Sequence, residues 1–331
     1  MSDYKELEYE NGWRGTPPTI SGLPAIFGRW YYVNPSLGKS GASGLEPYDP
    51  MDSIATAYAA CSDGKGDGIC LISYGTGATA DTTSYLSTTL TWSKSDITVF
   101  GLGAPVRYGK RTRVTNKSTA TTLTPLMTVS GTNNAFYNVQ FTNFASDASV
   151  VQCVVVTGNR NYFENCDFFM GGGGVNVATA SSLYVNGAQE CMFKNCTIGG
   201  DTVDQGSGVV SGVISLAGGV ERCWFENCDV LSYFTGGSNV AGAIIVGSAG
   251  AGITRNVVFS RCRFMNYVTG SPEGSAGCSE LVVGTAPNNG IILLHDCAQI
   301  GFAATSAFTQ RVYVACGPTQ VAGGAIAVKS A

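Results

Sequence analysis

The sequence predicts an all-β fold, a right-handed single-stranded parallel β-helix with about 30–35 residues per coil. Three observations predict it. A short motif recurs without gaps as Phe163-Glu164-Asn165-Cys166-Asp167-Phe168, Phe193-Lys194-Asn195-Cys196-Thr197-Ile198, Phe225-Glu226-Asn227-Cys228-Asp229-Val230 and Phe259-Ser260-Arg261-Cys262-Arg263-Phe264. A looser fifth copy is Leu294-His295-Asp296-Cys297, and a looser first is Phe141-Thr142-Asn143-Phe144. The cysteines step by 30, 32, 34 and 35 residues, the length of a coil with three strands and their turns. The repeats are built from Gly, Val, Phe, Asn and Cys, which favour strand and turn over the helices of an α-solenoid.

Residues 1–30 form an N-terminal arm rich in aromatics, Gly and Pro, without strand or helix period. Its Trp13, Phe27 and Trp30 are candidate partner-binding residues, because large amphipathic aromatics concentrate at interface cores. The alternative is that they seal the end of the coil. Residues 31–75 form an N-terminal cap: Trp30–Val33 reads as a strand, Gly38–Pro50 as a loop, and Met51–Cys61 as an amphipathic helix with apolar residues at Met51, Ile54, Ala55, Tyr58 and Ala59. Asp49 and Asp52 suit the dipole at its start. Asp63-Gly64 and Gly66-Asp67-Gly68 end it, and Ile69–Ser73 follows as a buried strand. Such a helix covers the open end of a solenoid, where strand edges and stacking faces would otherwise meet water.

Residues 76–331 form the body, with irregular first and last coils. Leu90–Trp92, Ile97–Phe100 and Leu126–Val129 are early strands. In the motif, Phe163 and Cys166 both point inward only if the chain bends at Asn165, since unbroken alternation puts them on opposite faces. Asn tolerates the left-handed conformation of such a bend. Stacking coils then yields a Phe column, an Asn column ending in Arg261, and a Cys column. Glu164, Lys194, Glu226 and Ser260 form an outward column able to pair charges between coils.

Charged residues are only 13% of the 331, glycines number 44, and the net charge is −4. This is the composition of a large buried sheet surface with many turns, not of a disordered chain. Without a Lys/Arg cluster, phosphate neutralisation and hence nucleic-acid binding are not expected. No run approaches the ~18 apolar residues of a membrane helix. The acidic start (Asp3, Glu6, Glu8, Glu10) is unlike a signal peptide, so synthesis in a host cytoplasm with reduced thiols is expected.

The twelve cysteines do not show the close pairing of a zinc site. Cys191/Cys196 and Cys223/Cys228 stand five apart, and buried thiols acting as small apolar fillers explain the column. His295, the single histidine, is the base of any Ser-His-Asp or Cys-His site and sits in the outward column. No metal or other cofactor is expected. The enzymatic alternative is a carboxylate pair: Glu164/Glu226 and Asp167/Asp229 each lie two coils apart, roughly 9.6 Å at a regular strand spacing. Asp201/Asp204, in a loop, is a weaker candidate.

The segment Trp30-Tyr31-Tyr32-Val33-Asn34-Pro35, Gly38-Lys39-Ser40-Gly41, Gly44 to Pro50, Ile54 to Ala60 and Gly66 to Cys70 is similar to the N-terminal portion of many bacteriophage β-helix structural proteins. Together with the repeat, residues 30–300 resemble the pectate-lyase-like β-helix superfamily. The resemblance implies a structural component of a virion, a capsid decoration or cement protein that is not an enzyme. It further implies assembly as a homotrimer and contact with capsid or other virion proteins. The competing implication is a tailspike-type protein that degrades or binds a glycan. No family catalytic motif transfers residue by residue, and the acid cluster with arginine typical of pectate lyases is not evident in the sequence.

Overall fold

In the computed structural model, the structure describes residues 26–72, 83–103, 112–175, 177, 179–205, 212–234, 242–247, 252–267, 280–284, 290–302, 304–306, 312–315 and 328–330. From residue 68 to residue 306 the described strands of each coil make the same circuit. The strand Tyr162–Glu164 in a first sheet is followed by a bend, then Asp167–Met170 in a second sheet, then a longer loop and Ser181–Asn186 in a third. The described strands stack into sheets of 11, 8 and 8 strands, all paired in parallel except the last pair, Val312–Ala315 with Val328–Ser330. The sequence-derived strands at residues 69–73, 90–92, 97–100 and 126–129 are present within one or two residues.

The bend works as the sequence predicts. Asn165, Asn195 and Asn227 hold φ of 53°, 52° and 52°, and Arg261 and Asp296 take the same turn at 54° and 50°. This left-handed residue resets strand parity, so Phe163 and Cys166 both face inward and are fully buried. The phenylalanine column is a continuous stack: centroids of Phe136, Phe163, Phe193, Phe225 and Phe259 are 4.9, 5.0, 4.6 and 4.5 Å apart, with interplanar angles of 2–13°. The thiols of Cys166, Cys196, Cys228, Cys262 and Cys297 each donate to the carbonyl of the phenylalanine one coil earlier, at 3.3–3.5 Å.

One register differs from the expectation. The first repeat is not Phe141–Phe144 but Phe136-Tyr137-Asn138-Val139-Gln140-Phe141. Phe136 pairs with Phe163 and Phe141 with Phe168, and Asn138 takes the left-handed bend at φ 58°. Val139, a small apolar residue like Cys, fills the thiol's place. The shift puts Gln140, and not Ala145, beside Asp167.

The helix Ile54–Ala60 packs on the first coils. Ser53 caps it, its Oγ accepting from Thr56 N at 3.2 Å, and it buries Ile54, Ala57 and Tyr58. Tyr58 stacks on Trp92 with centroids 4.3 Å apart, and its hydroxyl accepts from the backbone N–H groups of Ser93 and Lys94 at 2.7 and 2.9 Å. Lys94 Nζ donates to the carbonyls of Tyr58, Ala59 and Cys61. A cation thus meets the open carbonyls and the negative end of the helix.

The aromatic arm divides. Trp30 begins the strand Trp30–Val33 and is 3% exposed, packed with Tyr32, Cys70 and Ile72, so it is not a free docking side chain. Phe27 is 99% exposed. Trp13 lies outside the described residues.

Candidate functional site

The bend at Asn165 sends the four carboxylates proposed from the sequence to two different faces. Glu164 and Glu226 stand on the first sheet, and Asp167 and Asp229 on the second. On the first sheet the charges are matched locally. Glu164 accepts from the Tyr162 hydroxyl at 2.8 Å and faces Lys194 at 3.6 Å, whereas Glu226 takes Arg261 rather than Lys194. Burial and the Glu164 hydrogen bond together push the Tyr162 phenol upward. His295 continues this column, with Ser260 Oγ at 3.4 Å from its Nδ1 and Asp296 at 3.6 Å from its Nε2. Half of the His295 side chain is exposed. The column is a charge ladder that pairs coil with coil.

The second sheet is different. Its inward row, Val114, Phe141, Phe168, Ile198, Val230 and Phe264, is fully buried. Strand parity turns the preceding residues outward as one column: Arg113, Gln140, Asp167, Thr197, Asp229 and Arg263, each paired with the next in parallel register. The column is internally wired. Arg113 Nε donates to Gln140 Oε1 at 2.6 Å, and Gln140 Nε2 donates to Asp167 Oδ2 at 2.7 Å. At the other end Arg263 grips both oxygens of Asp229, at 2.6 and 2.8 Å. This two-pronged geometry fixes the carboxylate's plane. Asp167 is 7% exposed and the Asp229 side chain 13%. The two carboxylates are held from opposite ends, with Thr197 alone between them.

A groove of about 540 Å³ opens over the Arg113 to Thr197 stretch of this column, and Arg113, Gln140, Asp167 and Thr197 line its polar side, whereas Asp229 and Arg263 stand outside its lining. Phe144, Phe169, Leu231 and Tyr267 line it with apolar surface. Of the weaker candidates, Asp201 reaches the groove wall and is exposed, while Asp204 is half-buried and does not line it.

The cysteines take no part. The ten described cysteines are free thiols, and all but Cys297 are buried. Burial pushes Cys61, Cys70 and Cys166 up to about 12, away from the thiolate a nucleophile needs. Among the described residues no three His, Cys, Asp or Glu side chains gather as a metal site.

Sequence reasoning found Asp167 and Asp229 but not the partners that make them a site. The signal was present: reading the residue after each motif cysteine gives Asp, Thr, Asp and Arg. The correct first repeat then adds Gln140 one coil earlier. Arg113 carries no motif and is found only from strand register.

No family model and no curated protein matches the sequence. Solved structures do match. A pectin methylesterase in complex with a hexasaccharide aligns with TM-score 0.55 and 13% identity, over 91% of this chain and 92% of that one. The pectate lyase Pel9A aligns with TM-score 0.52 and 18% identity, over 83% of this chain and 63% of that one, so the chain spans less than two thirds of that enzyme. A rhamnogalacturonan lyase aligns with TM-score 0.52 and 14% identity, over 82% and 68%. At these identities the likeness establishes the fold, the pectate-lyase-like right-handed parallel β-helix. It also corrects the expectation of a non-enzymatic particle component. The three solved structures above, a pectin methylesterase, a pectate lyase and a rhamnogalacturonan lyase, are polysaccharide-processing enzymes, and none of the three is a capsid decoration protein.

Proposed function

We propose that the protein is a polysaccharide-processing enzyme that hydrolyses a glycosidic bond on the second sheet, with Asp167 in the groove and Asp229, two coils on and outside the groove lining, as its carboxylates. The observation that carries this reading is their placement in one outward column, two coils apart, each fixed by a partner on its outer side. Two coil steps set the Cα atoms roughly 9.6 Å apart. Inverting glycosidases hold their carboxyl groups about 6.5–9.5 Å apart, leaving room for a water between the sugar and the base. One carboxyl group protonates the leaving oxygen while the other draws a proton from that water, which attacks the opposite face of the ring. Thr197, with a short side chain, leaves the space between them open.

The test is replacement. Asp167→Asn and Asp229→Asn are expected each to lower the release of reducing ends by at least about a hundredfold. Glu164→Gln and Glu226→Gln, on the other sheet, should leave it unchanged. Full activity in both Asp variants would sink the site. Release of unsaturated sugars or of methanol instead of new saturated reducing ends would replace hydrolysis by elimination or de-esterification.

For its setting we infer a bacteriophage particle, as a tailspike-type homotrimer in contact with other virion proteins. The similarity of residues 30–70 to phage β-helix proteins supports this. Its test is the mass in solution and antibody labelling of purified particles, whose failure would withdraw the setting.

A further inference from the structure

Beside the polar column runs a second outward row, two residues further along each strand, and near Asp167 it becomes aromatic. Phe169 follows Asp167 on the same face, and Phe144 stands at the end of the neighbouring strand. Their rings meet edge to face, with centroids 5.5 Å apart at 68°. The fold gains little from Phe144 there, since it is 47% exposed and the core is filled by the inward row.

The surroundings are cut to these rings. A Cβ on Gly171 would stand 2.6 Å from Phe144 Cε1 and 2.8 Å from Phe169 Cε1, and a Cβ on Gly200 would stand 2.3 Å from Phe169 Cε2. Any larger residue at either glycine displaces a ring. The pair is therefore held in place at its edges, in the wall of the groove that contains Asp167. An aromatic face carries the negative part of the ring quadrupole. It suits the C–H-covered face of a pyranose, whose hydroxyl groups can turn to the polar column. Charge narrows the ligand further. Among the described residues lining the groove, the charged ones are Arg113, Asp167 and Asp201, one cation against two carboxylates, and Arg113 Nε is already committed to Gln140. A uronate bound over these rings would face like charge.

We propose that Phe144 and Phe169 form a stacking subsite for an uncharged pyranose ring adjacent to the Asp167 end of the column. The inference rests on reading the groove as a polysaccharide site. It goes beyond that reading by fixing where one sugar sits and that it carries no carboxylate.

The experiment titrates the intact protein calorimetrically with neutral hexasaccharides (glucan, mannan, galactan and fully methyl-esterified galacturonan) and with free hexagalacturonate. At least one neutral chain should bind, and bind tighter than hexagalacturonate. Phe144→Ala, at an exposed position that the fold tolerates, should weaken that binding about tenfold. Phe144→Tyr should restore it, and Tyr48→Ala, at an exposed aromatic that does not line the groove, should not affect it. On a cleaved substrate, Phe144→Ala should raise KM and leave kcat near its original value. Unchanged binding in Phe144→Ala overturns the stacking subsite while leaving the groove reading in place. Tighter binding of hexagalacturonate overturns the uncharged ligand. Failure of every chain to bind the unaltered protein overturns the subsite and the proposed function together.

Discussion

Phe193 sits at the centre of the phenylalanine column, and truncating it measures how much the column holds. Its ring is fully buried, stacked 5.0 Å from Phe163 and 4.6 Å from Phe225 and met edge-on by Phe168 at 6.1 Å. A buried Phe→Ala change ordinarily costs about 3–5 kcal/mol, more where the surroundings cannot collapse. Here backbone ladders fix the coils on both sides, so Phe193→Ala should reach the upper end, about 4–5 kcal/mol. Phe193→Leu keeps most of the volume and loses two stacked pairs, worth about 0.5–1.5 kcal/mol each, for a total of about 1–3 kcal/mol. A solenoid coil contacts only its neighbours, so the Ala variant should also uncouple the halves and broaden the unfolding transition. The assay is urea denaturation followed by circular dichroism and by tryptophan fluorescence. A cost below about 1 kcal/mol for Phe193→Ala, or a Leu variant weaker than the Ala one, would refute the view that the stack is a principal source of stability.

The left-handed bend offers a sharper local test. Asn195→Ala, at φ 52° and with loss of the Asn227 Nδ2 hydrogen bond of 2.7 Å, should destabilise by about 2 kcal/mol in the same denaturation assay. Tyr58→Phe strands the N–H groups of Ser93 and Lys94 beneath the helix and should cost about 1–3 kcal/mol, with the loss seen as earlier proteolysis near residue 60. Buried Cys61, Cys70 and Cys166 rise from an ordinary value of 9.0 to about 12, so the unfolded chain loses their protons first as pH rises. Stability should be intact below pH 9 and fall between 9 and 12, by about 1.4 kcal/mol per thiol per pH unit, and a rising stability in that window would contradict the burial. In the folded protein a thiol reagent should reach half-exposed Cys297 before any other described cysteine, and rapid labelling of Cys196 or Cys228 would place the ladder wrongly.

The regular part of this fold was legible because its physics is local. A bend that needs a left-handed residue selects Asn, and the two side chains it turns inward select Phe and a small apolar group, so six residues announce each coil. Legibility failed where another residue meets the same need. Val139 fills the thiol position as well as Cys does, which hid the first repeat and with it Gln140. Cys61, just past the end of the helix, is buried as well, because a loop position says little about what packs over it. The carboxylates were visible as columns, but the face each column occupies follows from the parity reset at Asn165. That separates Glu164 from Asp167 although only two residues lie between them. Arg113 and the Phe144–Phe169 pair depend on register and loop packing, which no motif encodes.

The stacking of coils has a consequence for how such a site changes. Distances along an outward column come only in whole coil steps of about 4.8 Å, set by backbone hydrogen bonds and not by the side chains displayed. The gap between Asp167 and Asp229 is two such steps, and no small repacking can stretch or shrink it gradually. A carboxylate at the middle position would stand one step from each, close to the about 5–5.5 Å at which a second carboxylate attacks the sugar directly and the product keeps its anomeric configuration. Thr197 occupies that position. If the protein hydrolyses glycosides as proposed, the stereochemical outcome is a discrete choice in this architecture, and a single substitution, Thr197→Asp, is expected to shift it from one option to the next.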